Sequence, residues 1–391
     1  MRVNNKISVG AIIFLVFSGL VYGLFGQSAE RLVWVLSVIV AVFSINGVSK
    51  KIIINKDSIT FTYIVFIGSF LVDCVYGFNL RPLVYGIGML VTYLIGKVLV
   101  GEQTSEKIYR YISITIILFS VAVIALSVLL KGITFNSYIG YTGLFENPNT
   151  FGIFVESLFT VIISIDLAKT IDDDSLPFYN LVILAVLIIF TIISSCRIAI
   201  LAMMVQTLIF LIKAVFKKKT SFNNIIRILL YIAIGALIFG FLCIEFNIIG
   251  IFQTTFINKF TTLRGRGDVS NGRFNIWRSI WNESKILGTG DKVFIDASGL
   301  ESHNVYLGLM DQYGKLNAFA FLAFVITTLC KSVGLSFDKK CTSKWRFLPL
   351  MATLCFLFVS MSENYLMTTP MILMFTSIPL LTNNDFEDSV R

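Results

Sequence analysis

Apolar residues run through this chain in long stretches divided by short polar connections. A helix crossing a bilayer needs about 20 such residues, at about 1.5 Å of rise each. The pattern predicts spans at 7–25, 32–49, 58–77, 82–100, 109–130, 150–168, 177–195, 198–216, 226–246, 314–332, 346–362 and 370–382, about twelve in all. The last is short, and 303–313 reads as a separate surface helix ahead of the span at 314. The expected architecture is an all-α, polytopic integral membrane protein, with 1–391 as a single membrane domain. One long connection, 247–302, carries short helices. No internal repeat is visible, so an inverted-repeat transporter lacks support.

Composition sharpens this picture. Over 391 residues the chain is 56% hydrophobic and 14% charged, with mean hydropathy +0.83. A soluble globular chain carries about 25% charged residues, so most soluble enzyme classes are excluded. The apolar runs recur from residue 7 to residue 382, which excludes a cleaved secretory protein. The six cysteines are scattered without a CxxC pair, which indicates neither a zinc site nor a disulfide framework.

The net charge of +9 points first to orientation signals in the membrane rather than to nucleic acid. With the N-terminus in the cytoplasm, 20 of the 32 Lys and Arg fall inside, and the C-terminus is cytoplasmic too. The connection 247–302 then faces outward and opposes the usual bias, with seven Lys and Arg against five acids. In its first half Lys259, Arg264, Arg266, Arg273 and Arg278 face Asp268 alone. Two readings stay open: a solvated loop touching anionic headgroups, or an anion site. The planar guanidinium fork suits bidentate phosphate binding.

Several motifs could carry chemistry. Gly143-Leu144-Phe145-Glu146-Asn147-Pro148-Asn149 lies at the outer mouth of the sixth span. Asn147 can cap a helix whose first turn holds Pro148, or Asn147 and Asn149 can bond sugar hydroxyls. Arg197 follows Ser195-Cys196 at an outer turn, where it either snorkels to headgroups or holds a phosphate. Arg273, Trp277 and Trp281 share one helical face at four-residue steps. Tryptophan at an interface is ordinary; an aromatic sugar platform beside a diphosphate-binding Arg is the functional reading. His303, the one histidine, precedes Asn304 on the same outer side as the arginines, where imidazole could serve as general acid or base. With no Cys or second His beside it, a metal role is not expected. Asp172-Asp173-Asp174 is a cytoplasmic charge run that reads as solvated. Glu30, Asp73 and Glu363 are the acids near outer span ends.

The ordered set Gly143…Asn147-Pro148-Asn149, Ser195-Cys196-Arg197, Gly272-Arg273…Trp277, Gly288-Thr289-Gly290, His303-Asn304…Gly314 and Ser362-Glu363-Asn364 resembles the bacterial O-antigen ligase and Wzy polymerase family over roughly 140–365. The resemblance implies a GT-C-like membrane fold and a metal-independent, inverting glycosyltransferase without a cofactor. Its donor is a glycan on undecaprenyl diphosphate, its acceptor a sugar hydroxyl, and its site lies outside the bacterial plasma membrane. The resemblance further implies Arg197 and Arg273 as diphosphate ligands; the loop's extra arginines Arg264, Arg266 and Arg278 have no family role, and the charge of Arg278 or Arg266 is expected to assist. It places His303 at the active site, where it could act as the base for the reacting hydroxyl; from their residue types, Asn147, Asn149, Trp277 and Asn304 are the expected sugar contacts. Cys196 interrupts the family's Ser-Arg pair. A polymerase, adding the glycan to another lipid-linked repeat unit, is expected ahead of a ligase that uses lipid A-core. Expected partners are membrane lipid, a chain-length regulator and a flippase, with no nucleic acid. The competing class, a lipid-linked oligosaccharide flippase or transporter, would be expected to bury charged residues within its spans.

Overall fold

A computed structural model of the chain describes residues 58–80, 105–133, 140–172, 178–215, 272–291, 302–338 and 343–362, with isolated positions at 82–90 and 250–261. The expected spans at 7–25, 32–49, 226–246 and 370–382, with much of 82–100, lie outside the described residues, as do Arg264, Arg266, Glu30, Glu363 and Asp173-Asp174. Among the described residues the structure is helical, with no strand. The helices are α1 (Ser58–Gly77), α2 (Ser105–Lys131), α3 (Pro148–Asp172), α4 (Phe178–Ser194), α5 (Arg197–Val215), α6 (Arg273–Glu283), α7 (Val305–Phe337) and α8 (Leu348–Ser362).

Among the described residues, four segments are long and apolar enough to cross a membrane: Ser58–Gly77, Tyr109–Lys131, Pro148–Ile171 and Val305–Phe337. The chain is therefore a membrane-embedded helical protein. The residues fall into two compact units, one within Met1–Ile112, Ser270–Cys341 and Val359–Arg391, the other within Ser113–Val269 and Thr342–Phe358.

The first unit is built on α1 and α7. Ile59, Tyr63, Phe66 and Phe70 recur at three- and four-residue steps and are all buried, so they form one packed stripe of α1. Ring centroids of Tyr63–Phe324, Phe66–Phe321 and Phe70–Tyr313 lie 4.9, 5.0 and 5.1 Å apart. Pairs of this kind add about 0.5–1.5 kcal/mol each beyond the area they bury. Thr62 and Thr327 share a hydroxyl hydrogen bond of 2.8 Å. The reverse face of α1 leaves Phe61, Val65, Val72 and Val75 exposed, an apolar surface suited to lipid tails.

The second unit centres on α3, which is buried along nearly all of its length. It packs on α4 and α5. Gly152 permits the closest approach: a Cβ there would collide with the Cys196 side chain and the Ser194 hydroxyl. On α2, Ser113, Ser120 and Ser127 recur every seven residues and are all buried, a narrow seam of small side chains. Ser127 Oγ accepts the Leu144 N–H at 3.2 Å.

The spans hold charge that hydropathy concealed. Asp73 in α1 and Glu156 and Asp166 in α3 are all buried at 0% exposure, although charge had been expected to gather in the outer connection. Each is held by neutral donors. Glu156 accepts from the Thr160 hydroxyl at 2.9 Å, the Gln206 amide at 3.0 Å and the Cys355 thiol. Asp166 accepts from the Asn180 amide.

Candidate functional site

In the second unit, Asn147 takes the capping position expected for it. Its Oδ1 accepts the Asn149 N–H at 2.8 Å, and its main-chain oxygen accepts the Phe151 N–H at 3.2 Å as α3 begins. The Asn147 side chain is exposed and that of Asn149 half-buried.

The Ser194–Arg197 turn is shaped by local hydrogen bonds. Ser194 Oγ donates to the Thr191 oxygen at 2.7 Å and accepts the Cys196 N–H at 3.3 Å. Ser195 adopts a left-handed backbone, φ 61°. Gly140, φ 84°, lies against this turn, where a Cβ would strike the Ser194 carbonyl. The turn buries Cys196 and leaves Arg197 exposed as the first residue of α5. An exposed guanidinium on such a turn is available to a phosphate.

In the first unit, α6 begins after Gly272, whose φ of 86° a side chain would resist. Ile276 and Ile280 are buried, one turn apart, while Phe274, Arg278 and Trp281 are exposed and Arg273 is half-buried. Trp277 and Trp281 do not behave alike. The Trp277 indole N–H donates to the Ser302 carbonyl at 2.7 Å. The Trp281 ring meets Phe319 at 6.2 Å and lies under the Lys315 ammonium at 5.5 Å.

The Trp277 bond brings two of the sequence motifs together. Next to Ser302, His303 has a left-handed backbone, φ 44°, a state that costs an L-residue about 1–2 kcal/mol. The residue that follows fixes this geometry. Asn304 caps α7 through Oδ1, which accepts the Leu307 N–H at 3.0 Å, while its Nδ2 donates to the Met361 carbonyl at 3.2 Å. Both ends of this amide are engaged, so Asn304 orients the loop that carries His303. The Ser302 hydroxyl closes the turn by donating to the Asn304 oxygen at 3.2 Å.

Gly314 had been expected to divide a helix from a span, and α7 does fall there into two helical stretches, with Gly314 itself non-helical at φ 80° and ψ 172°. The break is filled by the segment after α6. Lys315 and Leu316 donate their N–H groups to the carbonyls of Lys285 and Ile286, both at 2.9 Å. Gly290 N–H donates to the Gln312 carbonyl at 3.0 Å, and the Gln312 amide returns a bond to the Gly290 carbonyl at 2.8 Å. Main-chain groups released by a helix break inside a membrane must find new partners, and this segment supplies them. The crossing needs glycine on both sides. A Cβ on Gly314 would lie 2.7 Å from backbone atoms of Ile286, Leu287 and Gly288, and one on Gly288 would strike the Tyr313 backbone. From α1, Asp73 Oδ1 accepts the Gly288 N–H at 3.2 Å. The Gly288-Thr289-Gly290 motif is thus a backbone clasp on α7.

No family model matches the chain, and no curated protein matches it either.

Proposed function

We propose that the protein is a glycan polymerase of the outer plasma-membrane face, with about twelve spans and a GT-C-like fold. It moves a glycan from an undecaprenyl diphosphate carrier to the sugar hydroxyl of another lipid-linked repeat unit. The observation that carries this reading is the Trp277–Ser302 hydrogen bond, which ties the Arg273-bearing helix to the His303 loop within one unit. A diphosphate leaving group requires positive charge as its bond to the sugar breaks, and guanidinium groups provide it. Arg273 and Arg278 stand on α6 for that role. His303 takes the proton of the attacking hydroxyl. Trp277 is the sugar-side residue. Transfer of the same glycan to lipid A-core, the ligase reaction, uses the same donor chemistry.

A deletion strain complemented with wild type, Arg273→Ala or His303→Ala, at matched protein levels, tests this. Surface glycan is sized on a gel. Single repeat units in the deletion and a ladder with wild type support the polymerase, and loss of the ladder in both variants supports the site. Long chains accumulating on undecaprenyl diphosphate without reaching lipid A-core identify the ligase instead. Variants equal to wild type overturn the arginine–histidine site.

One observation favours a second reading. Asp73, Glu156 and Asp166 are buried inside spans, as a transporter of lipid-linked oligosaccharide would require. In that case the deletion strain accumulates its lipid-linked unit on the cytoplasmic face.

A further inference from the structure

We propose that Asp73, Asn317 and Ser69, beside the break in α7, form a binding site for one sodium ion. Ser69 and Asp73 are four residues apart on α1 and share a face. Asn317 stands three residues beyond Gly314, and all three side chains are buried, Asp73 and Asn317 at 0% exposure. The Asn317 Nδ2 donates to Ser69 Oγ at 2.9 Å, and its amide also lies within hydrogen-bonding reach of the Asp73 carboxylate. Ser69 Oγ passes its own proton to the Phe66 carbonyl at 2.7 Å.

The satisfied bonds leave two oxygens over. Asp73 Oδ2 and Asn317 Oδ1 are buried, and neither has a hydrogen-bond partner among the described residues. The partners Asp73 does have, the Gly288 N–H and the Asn317 amide, are neutral. Neutral donors spread a buried negative charge without cancelling it, and an uncancelled charge at this depth is costly. A cation on Oδ2 would cancel the charge, and a turn of the Asn317 amide about its Cβ–Cγ bond would bring Oδ1 in as a ligand in place of the N–H groups.

The ligand chemistry selects the ion. One carboxylate, one amide oxygen and one hydroxyl oxygen are hard ligands with a single formal charge, which matches a monovalent ion rather than a divalent or soft one. The setting agrees, because broken membrane helices present main-chain oxygens and helix ends from which alkali-ion sites are built. Occupancy would also reinforce the clasp, since Asp73 holds Gly288 through its other oxygen. This inference stands apart from the transferase reading.

The test is equilibrium binding of radiolabelled sodium to the purified full chain, with choline chloride holding ionic strength constant. Saturable binding by wild type is expected. Asp73→Asn keeps an acceptor for the Gly288 N–H, so the clasp survives while the charge is lost, and binding should disappear. Asn317→Ala should weaken binding roughly tenfold or more, equivalent to about 1.4 kcal/mol. Both variants are first matched to wild type by gel filtration. Absence of saturable binding by wild type, or equal binding by Asp73→Asn, overturns the site. Thermal stability that follows pH but ignores sodium overturns it as well, and assigns a proton to Asp73.

Discussion

Replacing Gly314 with alanine tests the clasp directly. At φ 80° and ψ 172° this residue occupies a backbone region that belongs almost solely to glycine, and forcing a side chain into it costs about 1–3 kcal/mol. The new methyl would also lie 2.7 Å from Gly288 N, Ile286 O and Leu287 C, all main-chain atoms that cannot swing aside. Overpacking of that kind adds about 1–3 kcal/mol. The sum, about 2–6 kcal/mol, corresponds to a fall in apparent melting temperature on the order of 10 °C. The helix has one escape. It can straighten, gaining about 1 kcal/mol from alanine's propensity, but Lys315 and Leu316 then return to helical partners and the carbonyls of Lys285 and Ile286 lose their donors. Escape therefore releases the segment and exposes the peptide bond after Lys285 to trypsin. Gly334→Ala is the matched control, because that glycine lies in the same helix with open space where a Cβ would stand. It should be neutral or stabilising by up to about 1 kcal/mol. Melting in detergent and limited trypsin digestion read both variants. If Gly314→Ala melts with wild type and Lys285 is cut no faster, the segment does not fill the break as described.

Other substitutions probe single contacts. Trp277→Phe keeps the ring but removes the N–H that Ser302 accepts, which should cost about 0.5–1.5 kcal/mol in melting and shorten the glycan ladder. Tyr141→Phe should be neutral or stabilising by up to about 1 kcal/mol in the same melt, because the phenol is buried without a hydrogen-bond partner among the described residues. Gln206→Leu should destabilise by about 1–3 kcal/mol, since the amide donates to Glu156, Thr160 and the Met351 carbonyl and leucine leaves those acceptors short.

Where hydropathy decides the outcome, the sequence was legible. The run predicted at 58–77 is the helix Ser58–Gly77, and the Asn147-Pro148 start of α3 follows from the capping preferences of those two residues. Gly314 was legible as an interruption, but not as a docking point. The atoms that need its missing side chain belong to Ile286, Leu287 and Gly288, which no local pattern connects to it. Asp73 was legible as an acid at a span end. Its link to Asn317 was not, because the two lie on different helices and are separated by most of the chain. Glu156 and Asp166 vanished into an apolar average. A window of hydropathy cannot tell a carboxylate facing Gln206 or Asn180 from one facing lipid. Nothing local marked Asn304 as the cap of α7; only the fold reveals that its amide engages Leu307 and Met361.

The left-handed backbone of His303 decides which replacements this loop will tolerate. At φ 44° glycine is more comfortable than histidine, while a β-branched residue would be strained. His303→Gly therefore removes the imidazole, eases the turn, and leaves a side-chain-sized gap with the Asn304 cap in place. Such a gap invites chemical rescue. Free imidazole added to the medium should restore part of the lost transfer if the ring handles a proton, and none if the ring only supports the loop.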